Sequence, residues 1–239
     1  MSTDQGTAAG PQEAARTSGA QVARRPRRLE ALGRAIDPRL WSLQKAFLAG
    51  APWARADLAR LRRGLGKAPG AVPEIWEMTI GSIPPELAWN GDEPSRAEVA
   101  AHAAFTLYAL HQQAFSRPAH VAGVGFGTAV RRLATGSAEA AVTRRFMAVS
   151  TAGSIEELLT HARGLITQLR GTGHGLDYAM LADDIHALIT PNRENKVKLA
   201  WGRGFYHGAG DSRIDGPPAP TALNHPDTET DDPEDGEQA

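Results

Sequence analysis

From residue 37 to about residue 207, apolar positions recur at the three- and four-residue spacing of helices, with polar positions in the intervals. The clearest stripe follows Ser154: Ile155, Leu158, Leu159, Ala162, Leu165, Ile166 and Leu169 lie on one face, and Glu156, Thr160, Arg163 and Arg170 lie outside it. Ser154-Ile-Glu-Glu157 reads as a capping box, in which the first and fourth side chains satisfy each other's free backbone N–H groups, and Ser95-Arg-Ala-Glu98 repeats the pattern. After Ser95 no charged side chain stands between Glu98 and Arg117, so that helix, apolar nearly all round, is predicted at the centre of a bundle. Asp37-Pro38 predicts an N-cap followed by proline at the first helical position, opening a helix that Gly50 closes. Further helical runs are FGTAVRRLA, AEAAVTRRFMAVST, DYAMLADDIHALI and the stretch from Pro191 to Tyr206. There is no alternating strand pattern and no repeat of fixed period.

The expected fold is therefore all-α, a helical bundle of about eight or nine helices over residues 35–208. A break near residues 116–123 would divide it into sub-bundles 35–118 and 119–208. Residues 1–34 and 209–239 lack periodicity and apolar content and are expected to be disordered tails, the first basic and the second acidic.

Charge sharpens this picture. The chain has 26 Lys and Arg against 27 Asp and Glu, but residues 211–239 hold nine of the acids and one base, Arg213. Residues 1–210 are left with 25 bases and 18 acids, an excess that suits a polyanionic partner or a plainly solvated basic surface. With no cysteine there is no disulfide framework and no thiolate metal site. The N-terminal segment lacks the apolar core of a secretory signal, and no run approaches the roughly 20 apolar residues that span a bilayer. A cytoplasmic protein without membrane contact is expected.

Candidate chemistry is mostly excluded. LRRGLGKAPG, residues 61–70, lacks the glycine spacing and the hydroxyl of a phosphate-binding P-loop, since Ala68 follows Gly66-Lys67. It reads as a helix end, with Leu58 and Leu61 buried, Arg60, Arg62 and Arg63 in the last turn, and Gly64 as a left-handed C-cap. GVGFGTAV, residues 123–130, has Val130 where a dinucleotide fingerprint needs its third glycine, and reads as a glycine-flanked helix start. Asp183-x-x-His186 is half of one di-metal motif, and Glu157 with His161 suits a surface pair, so no metal or cofactor is expected. His102 and His111, in the apolar helix, read as hydrogen-bonded structural histidines. Without a nucleophile and an orienting acid, no catalytic residue and no enzyme activity are expected. The basic pairs Arg62-Arg63, Arg131-Arg132 and Arg144-Arg145 are more informative. Neighbours on a helix point about 100° apart, so at least one of each pair faces outward.

The ordered segments LRRGLGKAPG with VPEIW, AFTLYALHQQ, GFGTAVRRLA, VTRRFMAVSTAGS, LLTHARGLITQLR, LDYAMLADDIHAL and VKLAWGRGFY resemble the CasB family, the small subunit of the type I-E CRISPR complex Cascade. The likeness runs from about Leu58 to Tyr206. It implies an all-helical, non-catalytic subunit, present in two copies, that packs on the complex's backbone and large subunits and stabilises the R-loop of guide RNA and target DNA. It assigns nucleic-acid binding to Arg60, Arg62, Arg63, Lys67, Arg131, Arg132, Arg144, Arg145, Lys196, Lys198 and Arg203. A structural clamp, whose basic surface meets acidic protein subunits, is the alternative role. Gly204 departs from the pattern, where a larger, often acidic residue is expected, and predicts early fraying of the last helix.

Overall fold

The computed structural model describes residues 27–87, 89 and 91–208, so the predicted acidic tail and residues 1–26 of the predicted basic tail lie outside the described residues. Among those residues the chain is all-α. Its helices are α1 (Ala31–Leu48), α2 (Pro52–Arg63), α3 (Trp76–Thr79), α4 (Arg96–Gln112), α5 (Phe126–Arg131), α6 (Glu139–Thr151), α7 (Ile155–Thr172), α8 (Tyr178–Leu188) and α9 (Glu194–His207). Single 3₁₀ turns flank α3 and precede α6. No helix among the described residues is long and apolar enough to cross a membrane.

The central position of α4 follows from its composition. Ala97, Ala100, Ala101, Ala103, Ala104 and Ala109 let neighbours approach closely, while Phe105 and Tyr108 fill the space between them, all buried. Helices α1, α2, α3, α7 and α8 pack around it. The predicted box at Ser95 forms fully: Ser95 Oγ accepts from the Glu98 N–H at 3.1 Å, and the Glu98 carboxylate accepts from the Ser95 N–H at 2.6 Å. At the other end Gln112 fastens the outgoing loop, donating to the Phe115 and Arg117 carbonyls and accepting from the Ala119 N–H. The box at Ser154 forms by half. Ser154 Oγ caps the Glu157 N–H, but the Glu157 carboxylate takes the Gly153 N–H, one residue further out.

The start of α1 corrects the sequence reading. Asp37 is not an N-cap; the helix begins six residues earlier and runs through Pro38. Leu32 and Ile36 continue the buried face of Leu40 and Leu43. Burying two such side chains contributes about 3–6 kcal/mol, which offsets the roughly 3 kcal/mol that an interior proline costs. The free amides of the helix start are satisfied from α8: the buried Asp183 carboxylate accepts from the N–H groups of Glu30 and Gly33, each at 2.7 Å. Gly33 is required there, because a Cβ on it would meet Asp183 Oδ2 at 2.2 Å.

Gly64 likewise serves a different purpose from the predicted one. Its φ of −78° is right-handed, and its lack of a side chain lets the end of α2 lie against α4, where a Cβ would meet Ile75 Cδ1 at 2.7 Å and His102 Cε1 at 3.1 Å. The left-handed residue in this turn is Gly66, at φ +77°.

Helices α5 and α9 cross at still closer range. A Cβ on Gly127 would stand 2.0 Å from the Trp201 carbonyl oxygen, and one on Gly204 would stand 3.0 Å from the Thr128 nitrogen. The predicted fraying at Gly204 does not occur. The helix continues to His207, and the glycine is the point of contact that holds it. Phe126, Phe146 and Phe205 stack across the junction of α5, α6 and α9, with the Phe146 and Phe205 rings 4.3 Å apart and nearly parallel.

Candidate nucleic-acid interface

The cationic side chains singled out from the sequence sit on four elements, α2 with its following turn, α5, α6 and α9. Helix α2 packs on α1 and α4, whereas α5, α6 and α9 are joined by the phenylalanine stack. Leu58 and Leu61 bury the inner face of α2 as predicted, which turns Arg60 and Arg63 outward and leaves Arg62 half-buried. Arg60 is held by Asp57 at 2.5 Å, and Arg63 lies 3.6 Å from Glu74. Lys67 is exposed in the turn after the helix.

On the other side, Arg131 bonds Glu139 at 2.7 Å and stands over the Phe205 ring, 5.9 Å from its centroid. Arg132, next to it, is half-buried. On α6, Val142, Phe146 and Val149 face the core, so Arg144 and Arg145 point outward. With Ala141, Ala148 and His161 of α7 they line an open depression of about 310 Å³. Among the described residues neither arginine has an acidic partner, and the lining contains no carboxylate. On α9, Lys196 reaches Glu30 at 3.4 Å, while Lys198 and Arg203 are exposed. His161 was absent from the sequence assignment. It stands 3.7 Å from Glu157, the pairing its spacing suggested, yet it also faces the arginine pair across the depression.

Several acids that the residue count sets against these cations are turned inward. Asp177 is fully buried and N-caps α8, and it bonds Arg27, whose guanidinium also grips Asp37. Burial alone would raise the Asp37 carboxyl, but the Arg27 hydrogen bonds and charge, assisted by His120, hold it below its ordinary value. Asp183 caps α1 and is pushed up to about 6 by burial, over the opposing effect of the Gly33 and Glu30 amides. Burial pushes Asp184 up to about 7, although the Trp201 indole N–H donates to it at 2.7 Å. The outward field of α8 is thus weaker than its sequence suggests.

Asp37, His120 and Asp177 bring their ligand atoms within 4.8 Å of one another, a grouping that the sequence did not reveal. The cation for these carboxylates is supplied by the chain itself, as the Arg27 fork lies between them. His120 is buried and held below its ordinary pKa by burial. Its Nδ1 accepts the Tyr178 backbone N–H at 3.1 Å, which leaves Nε2 to donate to Asp37 at 3.0 Å. The expected structural histidines have matching partners: His102 Nε2 donates to the Gly64 carbonyl at 3.0 Å, and His111 Nδ1 lies 2.8 Å from the Tyr178 hydroxyl. Asp183 and His186, half a metal motif by spacing, diverge in role, the aspartate being committed to the α1 amides.

A second surface feature is apolar. Trp41, Trp53 and Trp76, on α1, α2 and α3, and Trp89 in the following loop are all more than 40% exposed. Their number was visible in the sequence, but their exposure was not, because the same residues would serve equally well in a core.

A family model described as CRISPR-associated protein Cse2 matches residues 57–206. No curated protein matches the chain. Among solved structures, CasB from Thermobifida fusca is 35% identical with a TM-score of 0.64, the match covering 74% of this chain and 99% of that one. A CRISPR-associated protein of the Cse2 family from Thermus thermophilus is 28% identical with a TM-score of 0.56, again over 74% of this chain and 99% of that one.

Proposed function

The chain belongs to the Cse2 family of CRISPR-associated proteins, also called CasB, and from that premise we propose that it is a non-catalytic small subunit of a type I-E Cascade complex. In this reading two copies act in the cytoplasm, pack on the backbone and large subunits, and hold the guide RNA and target DNA R-loop through sequence-independent phosphate contacts. Guide pairing supplies the sequence specificity, so the protein needs charge at the right places rather than base readout. The observation that carries the reading is the arginine pair of α6, exposed above an open depression and unpaired among the described residues. Arginine forks suit phosphate, and cations without acidic partners meet it without first breaking an ion pair. Arg144, Arg145, Lys198, Arg203, Lys67 and Arg62 then contribute most, and Arg60, Arg63, Arg131 and Lys196 share their charge with Asp57, Glu74, Glu139 and Glu30.

The test is the salt dependence of DNA binding. Log K falls with log[salt] by about 0.7 per phosphate contact on single strands and about 0.9 on duplex. Arg144→Glu with Arg145→Glu removes two contacts and lowers the slope by about 1.4–1.8. A native slope near zero, or one the double variant leaves unchanged, overturns the reading.

The clamp reading has its own support in the four exposed tryptophans around α1–α3, a residue type enriched at protein interfaces. Trp53→Ala with Trp76→Ala should release the chain from the other subunits while leaving its DNA affinity intact, if this face meets protein.

A further inference from the structure

The chain leaves its last helix beside α5. A Cβ on Gly208 would lie 3.2 Å from Thr128 Oγ1, and Arg131 lies one helical turn, about 5 Å, beyond Thr128. Residues 209–239 follow from that point and carry nine acids and one base. Seven of the acids, Asp227, Glu229, Asp231, Asp232, Glu234, Asp235 and Glu237, fall within eleven residues that contain no Lys or Arg. At full extension seven charges in eleven residues would be one about every 5 Å, roughly two-thirds of the linear charge density of phosphates along a strand, one about every 3.4 Å. Asp227 is 19 residues past Gly208, a reach of at most about 68 Å. Helix α6, at 13 residues, is about 20 Å long.

We propose that the segment Asp227–Glu237 docks on the α6 face that carries Arg144 and Arg145, so that the unassembled chain covers its own cationic surface and nucleic acid must displace it. Charge complementarity selects this occupant: the strongest run of acids in the chain is tethered to the sub-structure whose exposed arginines have no acidic partner among the described residues. A tether of this length gives an effective concentration of order mM, enough for a weak contact to be populated. The competing ligand rests on the nucleic-acid reading above; the docking itself does not.

Because the chain has no cysteine, dyes can be placed by Thr160→Cys on α7 and Ala239→Cys in the full chain. High energy transfer between them is expected at about 50 mM salt, falling toward 1 M, where the screening length is about 3 Å. Neutralising the seven acids to Asn and Gln, or introducing Arg144→Glu and Arg145→Glu, should lower the transfer at low salt to the same level. Single-stranded DNA should also lower it, and the neutralised chain should bind that DNA about three- to tenfold more tightly at low salt. Equal transfer in native and neutralised chains at low salt overturns the docking. A clear difference in transfer with no DNA binding by either chain upholds the docking and retires the nucleic-acid reading instead.

Discussion

Gly127→Ala places a methyl group 2.0 Å from the Trp201 carbonyl oxygen, 2.8 Å from its carbon and 3.0 Å from the Phe205 nitrogen. All three are backbone atoms of α9, so no rotamer change relieves the clash. Ordinary contact begins about 1.4 Å further out, and the two helices must separate by roughly that amount. A radial gap of 0.5–1 Å already forfeits about a quarter to a half of a dispersion contact, and the stacked rings of Phe126, Phe146 and Phe205 and the Trp201 indole sit in this seam. Overpacking of this kind costs about 1–3 kcal/mol, and the rigid partner places the expected loss at about 3 kcal/mol or more. Gly202→Ala is the internal control. It lies on the same helix with nothing within 4 Å of the added methyl, and should stabilise by up to about 1 kcal/mol through helix propensity. Urea unfolding of both variants against the native chain reads the difference directly. A loss below about 1 kcal/mol for Gly127→Ala, or equal effects of the two substitutions, would refute the close-crossing argument.

Arg27→Met leaves the fully buried Asp177 and the half-buried Asp37 without their cation. Because Arg27 is itself partly exposed, the expected loss is about 2–3 kcal/mol in chemical denaturation, below the 3–5 typical of a wholly buried pair. A loss under about 0.5 kcal/mol would make this pair no more than a surface one. Asp184→Asn should stabilise at alkaline pH. The fold raises this carboxyl from 3.8 to about 7, so its contribution is fully present below pH 3.8 and is lost as pH rises through 7, an ionisation cost of about 4 kcal/mol at pH 8 and about 2 kcal/mol at pH 5. Asn keeps an oxygen for Trp201 and cannot ionise, so its advantage should shrink by about 2–3 kcal/mol between pH 8 and pH 5. A difference independent of pH would show that the carboxyl is not perturbed.

How much of this was legible depended on whether the cause was local. The interior position of α4 could be read directly, because only a helix covered on several sides keeps Glu98 and Arg117 as the nearest charges to its core stretch. Ser95 and Glu98 could be read as well, since both halves of that box lie within four residues. The start of α1 could not, because its cap, Asp183, lies 150 residues further along the chain, and a nearby Asp-Pro offered a more familiar signal. The glycines were misread for a related reason. Gly64 and Gly204 answer to close neighbours from other helices, and a sequence displays a glycine's backbone freedom more readily than the atoms it must avoid. For the candidate interface, the outward arginines followed from helix phase, but which of them already had an acid did not. Arg60 and Asp57 are three residues apart, whereas Arg63 and Glu74 meet only because the turn after α2 brings them together.

Arg27 gives the segment before α1 a fixed anchorage on Asp37 and Asp177. Arg27 therefore fixes the entry of the chain into α1 at one defined rim, where α1 meets the start of α8. A protease cut between Arg27 and Ala31 would do more than trim an end: it would withdraw the counter-ion of a buried carboxylate, and limited digestion there should register as a fall in melting temperature.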